Sequence, residues 1–315
     1  MALMVLFVGA KSDRPAYRIF NGKGHAADYA DILKAASGAD VVFFGEIHTN
    51  PICHWLELQI EKDLSGEKKK TLIMGAEMFE RDNQLLLNEY ISGMIRKKDF
   101  EAEAKLWPNY KTDYAPLVDF AAKKGIKFIA TNIPRRYSAI VNLKGFQGLD
   151  SINAIERGLM APLPLKFNPD LGCYKKIVEM VADAPMHSGD NLPKAQAIKD
   201  ATMAYFIFKN IEEETVFFHI NGSYHSENHE GIVWYLKEYN KRNATDLKIV
   251  TIMAVGQDNL DDLGKDNLGK ADFIICIPED MIQSRESSPS PISMPPAGTT
   301  PSGPVKMTAP DSTKN

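Results

Sequence analysis

The 315-residue chain has little cysteine and little excess charge of either sign. Its three cysteines, Cys53, Cys173 and Cys276, lie far apart and form no Cys-x-x-Cys pair, so neither a zinc knuckle nor a disulfide framework is indicated. The net charge is −4, with 37 basic residues against 41 acidic ones, which gives no electrostatic reason to expect nucleic acid as a partner. After the N-terminal segment, no apolar run is long enough to cross a bilayer.

The N-terminal residues 1–10 hold a short apolar segment that ends in Val8-Gly9-Ala10. This pattern resembles the end of a signal-peptide core followed by a small-x-small cleavage site, although no basic residue precedes it. Two interpretations stay open, a remnant of a signal peptide and a buried first strand. The first of them would make the protein an exported one.

The remainder of the chain alternates short apolar runs with amphipathic segments. The apolar runs predict buried strands at residues 41–44, 71–74, 126–130, 215–220, 248–254 and 271–276. Helical patterns lie between them, and the one at residues 51–64 is expected to turn Trp55 and Leu58 toward the core, with Leu56 and Ile60 as further candidates for that side. The alternation predicts an α/β fold with a mostly parallel sheet flanked by helices.

Two regions depart from this alternation. Glycine and proline are scattered through residues 137–191, which predicts a smaller inserted helical subdomain above the strand ends or, alternatively, a poorly ordered excursion. Residues 284–315 are rich in serine, proline and threonine and poor in large apolar side chains, so we expect a disordered tail. The α/β domain is therefore assigned to residues 11–283.

Polar side chains follow four of the predicted strands. A Gly-x-x-His motif follows the first strand, at Gly45-Glu46-Ile47-His48, and recurs after the fourth, at Gly222-Ser223-Tyr224-His225. Glu77 follows the second strand and Asn132 the third. Because the carboxyl ends of parallel strands share one edge of the sheet, these side chains are expected to converge.

Imidazole and carboxylate groups at such an edge can hold a divalent metal ion or act as general bases. The predicted metal ligands are His48, His225, Glu46 and Glu77, and Glu46 and Glu77 are the catalytic candidates if the chain is an enzyme. Structural roles also stay open for two of the strand-end residues: Glu46 can cap the next helix, and Asn132 can be a turn residue.

The paired Gly-x-x-His motifs with a glutamate between them resemble the pattern of the Tiki, TraB and erythromycin-esterase superfamily. Other segments are similar to its ChaN branch, the bacterial haem-binding uptake proteins. These segments are Glu77-Met78-Phe79-Glu80-Arg81, Asn132-Ile133-Pro134-Arg135 and residues 196–204. The resemblance covers residues 40–276.

This resemblance implies a ChaN-like fold and an exported protein, periplasmic or associated with the outer membrane, that works with outer-membrane uptake components. It also implies ferric haem held by a tyrosinate, and a homodimer that can enclose haem between its subunits. No family motif identifies the haem tyrosine in this chain. By their chemistry, the candidates for haem contacts are Tyr137, Tyr174, Arg135, Arg136 and His187.

Three functions therefore remain open. The leading one is a haem-binding protein of a bacterial iron or haem uptake system. The alternative is a metal-dependent hydrolase or peptidase that uses the residues at the strand ends. A third is a scaffold that carries the motifs without catalysis.

Overall fold

The computed structural model describes residues 14–67, 69–181 and 191–284. The predicted signal-peptide remnant, His187 and the tail from residue 285 onward lie outside the described residues. The described residues belong to one compact unit that ends at Ser284. Among them, no helix is both long enough and apolar enough to cross a membrane.

Eight strands of the described residues form one sheet. They are β1 Arg18–Asn21, β2 Ala26–Ala27, β3 Val41–Glu46, β4 Thr71–Glu80, β5 Lys127–Asn132, β6 Thr215–Gly222, β7 Ile249–Gln257 and β8 Phe273–Pro278. Their order across the sheet is β2-β1-β8-β7-β3-β6-β4-β5. Strand β1 pairs antiparallel with β2 and β8, whereas every pair from β8 to β5 is parallel. The predicted α/β fold with a mostly parallel sheet is confirmed.

Helices of the described residues pack on both faces of this sheet. They are α1 Tyr29–Gly38, α2 Pro51–Gly66, α3 Gln84–Ile91, α4 Lys97–Glu103, α5 Tyr110–Asp113, α6 Ala115–Lys124, α7 Arg135–Lys144, α8 Ala154–Arg157, α9 Gly172–Val181, α10 Leu192–Asn210 and α11 Ile232–Asn243. One large apolar cluster includes residues of α1, α2 and α6, and a second includes residues of α9, α10 and α11. The sheet therefore separates two cores.

Strand β3 lies between β7 and β6 and contributes to both cores. Val42 and Phe44 belong to the first apolar cluster, whereas Val41 and Phe43 belong to the second. A strand buried on both faces has no polar side to expose, which is why its sequence is an unbroken apolar run. Strand β3 therefore ends at Glu46 in fixed register with both of its neighbours.

Helix α2 turns an unexpected face toward the sheet. Asn50 caps it by accepting hydrogen bonds from two backbone N–H groups, so Glu46 is not the cap. The expectation that Trp55 faces the core is wrong, because Trp55 is 50% exposed. The buried face instead carries three polar residues, His54, Glu57 and Glu61.

The described part of the predicted insertion at residues 137–191 contains α8, α9 and most of α7. Helices α7 and α9 both contact α10, which itself packs on β5. Tyr137, Val141 and Met160 share a small apolar cluster with Ile198 of α10. These packing contacts join the region to the compact unit that contains the sheet.

Gly75 in β4 provides a test of the side-chain packing between the neighbouring strands β4 and β6. A Cβ atom at this position would lie 2.6 Å from Cε1 of the buried Phe217 ring. We expect Gly75→Ala to lower the free energy of unfolding by about 1–3 kcal/mol, because the core must shift to admit the methyl group. Urea denaturation measures this loss.

Gly38→Ala is the matched control, because a Cβ atom at the end of α1 would have no atom within 4 Å. This variant is expected to keep or slightly increase the stability of the wild type. Equal stability of Gly75→Ala and the wild type would contradict the packing described for β4 and β6.

Candidate functional site

The four strands with polar residues at their ends are neighbours in the sheet, in the order β3-β6-β4-β5. Glu46 is the last residue of β3, and Glu77 lies in the last part of β4. His48 follows β3, and His225 lies in the 3-10 turn Ser223–His225 that follows β6. The structure thus brings together the four predicted residues, named here the edge cluster: Glu46, His48, Glu77 and His225.

Glu46 and His48 form the first half of the edge cluster. Oε1 of Glu46 lies 2.7 Å from Nδ1 of His48 and accepts a 2.6 Å hydrogen bond from the hydroxyl of Tyr114. Burial raises the pKa of Glu46, but its contacts with the imidazoles of His48 and His54 hold it well below its usual range. The His48 side chain remains 35% exposed, so it is a solvent-accessible imidazole backed by a buried carboxylate.

Glu77 and His225 form the second half. Nε2 of His225 lies 3.0 Å from Oε1 of Glu77, and its Nδ1 lies 2.5 Å from Oδ1 of Asp200 on α10. Asp200 also accepts a 2.8 Å hydrogen bond from the hydroxyl of Tyr174. Burial lowers the pKa of His225, but Glu77 and Asp200 together raise it to about 10. This histidine is therefore held as an imidazolium between two carboxylates.

Gly222 lies between the two halves. Its backbone N–H donates a 2.9 Å hydrogen bond to Oε2 of Glu77. A Cβ atom at this position would lie 2.7 Å from Nε2 of His48 and 3.6 Å from Oε2 of Glu77. The glycine of the second Gly-x-x-His motif is thus needed because any side chain would occupy the space beside His48.

A second group of polar residues lies behind Glu46 and is named here the inner cluster: His54, Glu57 and Asp113. Nδ1 of His54 lies 3.4 Å from Oε2 of Glu46 and 3.3 Å from Oε2 of Glu57. Its Nε2 lies 3.4 Å from Oδ2 of Asp113. All three side chains are buried, and Glu46 therefore contacts the edge cluster through one oxygen and the inner cluster through the other.

The predicted haem-contact residues that the structure describes lie on two helices, with Arg135, Arg136 and Tyr137 at the start of α7 and Tyr174 in α9. Arg135 begins α7, followed by Arg136, whose Cζ lies 4.6 Å from the ring centre of Tyr137. Tyr137 itself is 5% exposed. Tyr174 is buried in α9, where its hydroxyl donates to Asp200 as described above. The fifth predicted residue, His187, lies outside the described residues.

Asn132, the remaining polar residue of the four strand ends, supports the edge cluster rather than joining it. Its amide Nδ2 donates a 3.1 Å hydrogen bond to the backbone carbonyl of Glu77. This contact crosses from β5 to β4, where the strand register shifts between Ala76 and Glu80. Asn132 therefore holds the irregular part of β4 that presents Glu77.

Several residues of the site were not predicted from the sequence: Tyr114, Asp200 and the inner cluster. A signal for part of it existed in α2, because His54, Glu57 and Glu61 are spaced three and four residues apart and so share one helical face. Asp200 lies within the segment 196–204 that carried the family resemblance. Nothing in the sequence pattern distinguishes Tyr114 from an apolar core residue.

The site lies in a part of the chain that matches a known protein family. The family model described as haem-binding uptake, Tiki superfamily, ChaN matches residues 32–236. This chain belongs to the ChaN family. The matched range contains the whole edge cluster and the whole inner cluster, so both are parts of the family's domain.

A solved relative shows the same fold. The structure of ChaN of Campylobacter jejuni with cofacial haem binding aligns with a TM-score of 0.61 and 17% identity, over 82% of this chain and 96% of that one. A mutant erythromycin esterase aligns over 84% of this chain and 98% of its own, with 11% identity and a TM-score of 0.45.

A curated plant relative matches a shorter part of the chain. It is the chloroplastic Protein RETICULATA-RELATED 5 of Arabidopsis thaliana, 28% identical over 130 residues. The matched part is 39% of this chain and only 17% of the plant protein. The chain therefore spans a small part of that relative's length.

Glu61 provides a test of the polar face of α2. Neither of its carboxylate oxygens has a hydrogen-bond partner, and burial raises its pKa from 4.5 to about 9. Between pH 4.5 and about pH 9, the folded chain binds a proton at Glu61 that the unfolded chain releases. The free energy of unfolding therefore falls as the pH rises through this range. We expect Glu61→Gln to be more stable than the wild type by about 2–4 kcal/mol at pH 8.

The stability difference between Glu61→Gln and the wild type is expected to shrink as the pH falls to and below 4.5, because the unfolded chain then also binds the proton. Urea denaturation at a series of pH values measures this difference. A difference that does not change with pH would show that Glu61 is not held protonated by its burial.

Proposed function

We propose that the protein binds haem as part of an exported bacterial system for iron or haem uptake. The observation that carries this proposal is the match to the ChaN family across residues 32–236, which include every proposed haem-contact residue. The fold shared with Campylobacter jejuni ChaN supports it. Periplasmic or outer-membrane location, a homodimer around haem and outer-membrane partners belong to the same proposal.

The surroundings of the two tyrosines favour Tyr137 as the iron ligand. A tyrosinate ligand is an anion, which nearby cations stabilise and nearby carboxylates oppose. Arg136 lies over the Tyr137 ring, whereas the Tyr174 hydroxyl is bonded to Asp200. Burial, followed by the charge of Asp200, raises the pKa of Tyr174 well above its usual value.

The start of α7 would also supply cations for the haem propionates. Arg135 and Arg136 are consecutive, and the Arg136 side chain is 51% exposed while it pairs with Asp82 at 2.5 Å. Because Tyr137 is 5% exposed and packs in an apolar cluster, its hydroxyl would have to become more accessible for iron to bind there. His187 is proposed as a further ligand on its chemistry alone.

Haemin titration tests the haem proposal and its ligand together. Haemin added to the purified chain is expected to shift the Soret band and to produce a charge-transfer band of tyrosinate ligation. Tyr137→Phe should abolish the charge-transfer band. Tyr174→Phe, which also loses one buried hydroxyl, should keep it.

Two results would count against these assignments. A spectrum that stays that of free haemin would contradict haem binding altogether. Loss of the charge-transfer band in Tyr174→Phe, with Tyr137→Phe unchanged, would contradict the choice of ligand. Cell fractionation separates periplasmic export from other locations, including the chloroplast of the plant relative.

A hydrolase is the second candidate function, and the exposed His48 is the observation that favours it. Glu46 raises the pKa of His48 against the effect of burial, which strengthens the imidazole as a proton acceptor. The carboxylate behind it also fixes the orientation of the ring. His48 could therefore take a proton from water at the edge cluster, with Glu46 as its positioning residue.

The edge cluster also has donors suited to a divalent ion, namely two imidazoles and two carboxylates. The Nε2 atom of His225 and Oε1 of Glu77 lie 3.0 Å apart, so an ion bound by both would replace the proton between them. Among the described residues, only Glu46, His54 and Glu57 bring three ligand atoms within 4.8 Å of one another, so an ion in the edge cluster would be held by His225 and Glu77 alone. Such an ion would supply Lewis-acid polarisation and a more acidic bound water, and His48 would stay available as the proton acceptor.

Hydrolysis of p-nitrophenyl butyrate and of a fluorogenic peptide library, with and without Mn²⁺ or Zn²⁺, tests this second function. His48→Ala is expected to reduce kcat/KM by about 100-fold or more, the usual contribution of a general base. His25→Ala removes an exposed histidine outside the edge cluster and should leave kcat/KM unchanged. Equal rates for His48→Ala and the wild type would contradict a catalytic role for this cluster.

A further inference from the structure

Glu46 belongs to the edge cluster through one carboxylate oxygen, and its other oxygen faces a second possible site on α2. Glu46 uses Oε1 for His48 and Tyr114, which leaves Oε2 directed at His54 on α2. Glu57, one helical turn further along α2, directs its own Oε2 at the same nitrogen of His54. Three potential ligand atoms thus surround one point between β3 and α2.

All three side chains are buried away from bulk solvent. Glu46 is 2% exposed, Glu57 is 0% exposed and His54 is 7% exposed. Oε2 of Glu46 and Oε1 of Glu57 have no hydrogen-bond partner. A buried carboxylate without a partner is costly, so these oxygens require a positive charge or a proton.

A single proton on Nδ1 of His54 cannot satisfy both carboxylates. Its single Nδ1–H can point at one oxygen only, and the separations of 3.4 and 3.3 Å exceed the usual 2.7–2.9 Å of a charge-assisted hydrogen bond. In a tetrahedral metal site with bonds of about 2.1 Å, neighbouring ligand atoms lie about 3.4 Å apart. The observed separations match that spacing.

We infer that Glu46, His54 and Glu57 form an internal site for a divalent transition metal ion. Their ligand atoms all lie within 4.8 Å of one another, so a small shift of the side chains is sufficient to surround an ion. A positive ion here would neutralise the two carboxylates that face each other across Nδ1 of His54.

The donor set selects the class of metal. One imidazole nitrogen with two carboxylates suits Zn²⁺, Mn²⁺ or Fe²⁺, whereas Ca²⁺ and Mg²⁺ prefer sites made only of oxygen ligands. Nε2 of His54 lies 3.2 Å from the backbone carbonyl of His48 and close to Asp113. An N–H on Nε2 would be held there, which leaves Nδ1 free to bind the ion, as second-shell contacts of metal-bound histidines commonly do.

Metal content and affinity of the purified full chain test this inference. After removal of metal with a chelator and addition of Zn²⁺ or Mn²⁺, the wild type is expected to retain about one equivalent through a desalting column. Co²⁺ should give visible absorption bands of a bound ion. Glu57→Gln and His54→Gln should each weaken the affinity by about 100-fold or more.

Two control variants separate this site from its surroundings. Glu61→Gln removes a buried carboxylate from the same face of α2, one turn beyond Glu57, and should bind the metal like the wild type. His225→Ala disrupts the edge cluster only and should also keep the ion. Neither control depends on haem, and neither readout depends on hydrolytic activity.

Thermal unfolding identifies any variant that folds poorly. Metal in about 100-fold excess over its Kd should raise the Tm of the wild type and of Glu61→Gln by several degrees, but not that of Glu57→Gln. Failure of the wild type to retain Zn²⁺, Mn²⁺ or Co²⁺ would overturn the inference. Equal loss of metal in Glu61→Gln and Glu57→Gln, or loss in His225→Ala alone, would also overturn it.

Discussion

Both polar clusters depend on the contacts that the Glu46 carboxylate makes. One of its oxygens holds His48 at the solvent-accessible edge, and the other faces His54 in the interior. The position of this carboxylate is fixed because β3 is paired on both sides and buried on both faces. The carboxylate is therefore positioned by a central strand of the sheet rather than by a loop.

The parallel arrangement explains how distant parts of the chain reach one site. Strands β3, β6 and β4 are neighbours in space, although about 170 residues separate the first two in the sequence. Helix α10 then adds Asp200 from the second core, and α2 adds His54 from the first. The edge cluster is thus supported from both faces of the sheet.

Much of the fold and half of the polar site were predictable from the sequence. Residues that leave a strand end, such as Glu46 and Glu77, were predictable because the strand pattern and the shared edge of a parallel sheet determine where they lie. His54 and Glu57 were not, because polar residues in a helix are ordinarily expected on its exposed face. Trp55 was misplaced because the inward side of α2 carries these polar residues beside Leu56 and Ile60, whereas Trp55 lies on the exposed side.

The three cysteines noted at the outset have a consequence for the chemistry of the folded chain. Cys53, Cys173 and Cys276 are unpaired and buried, and burial raises the pKa of each thiol. Oxidants and alkylating reagents attack the exposed thiolate form, which these residues do not present. The native protein is therefore compatible with an oxidising or a reducing compartment, and a cysteine introduced at its surface would be its one readily labelled thiol.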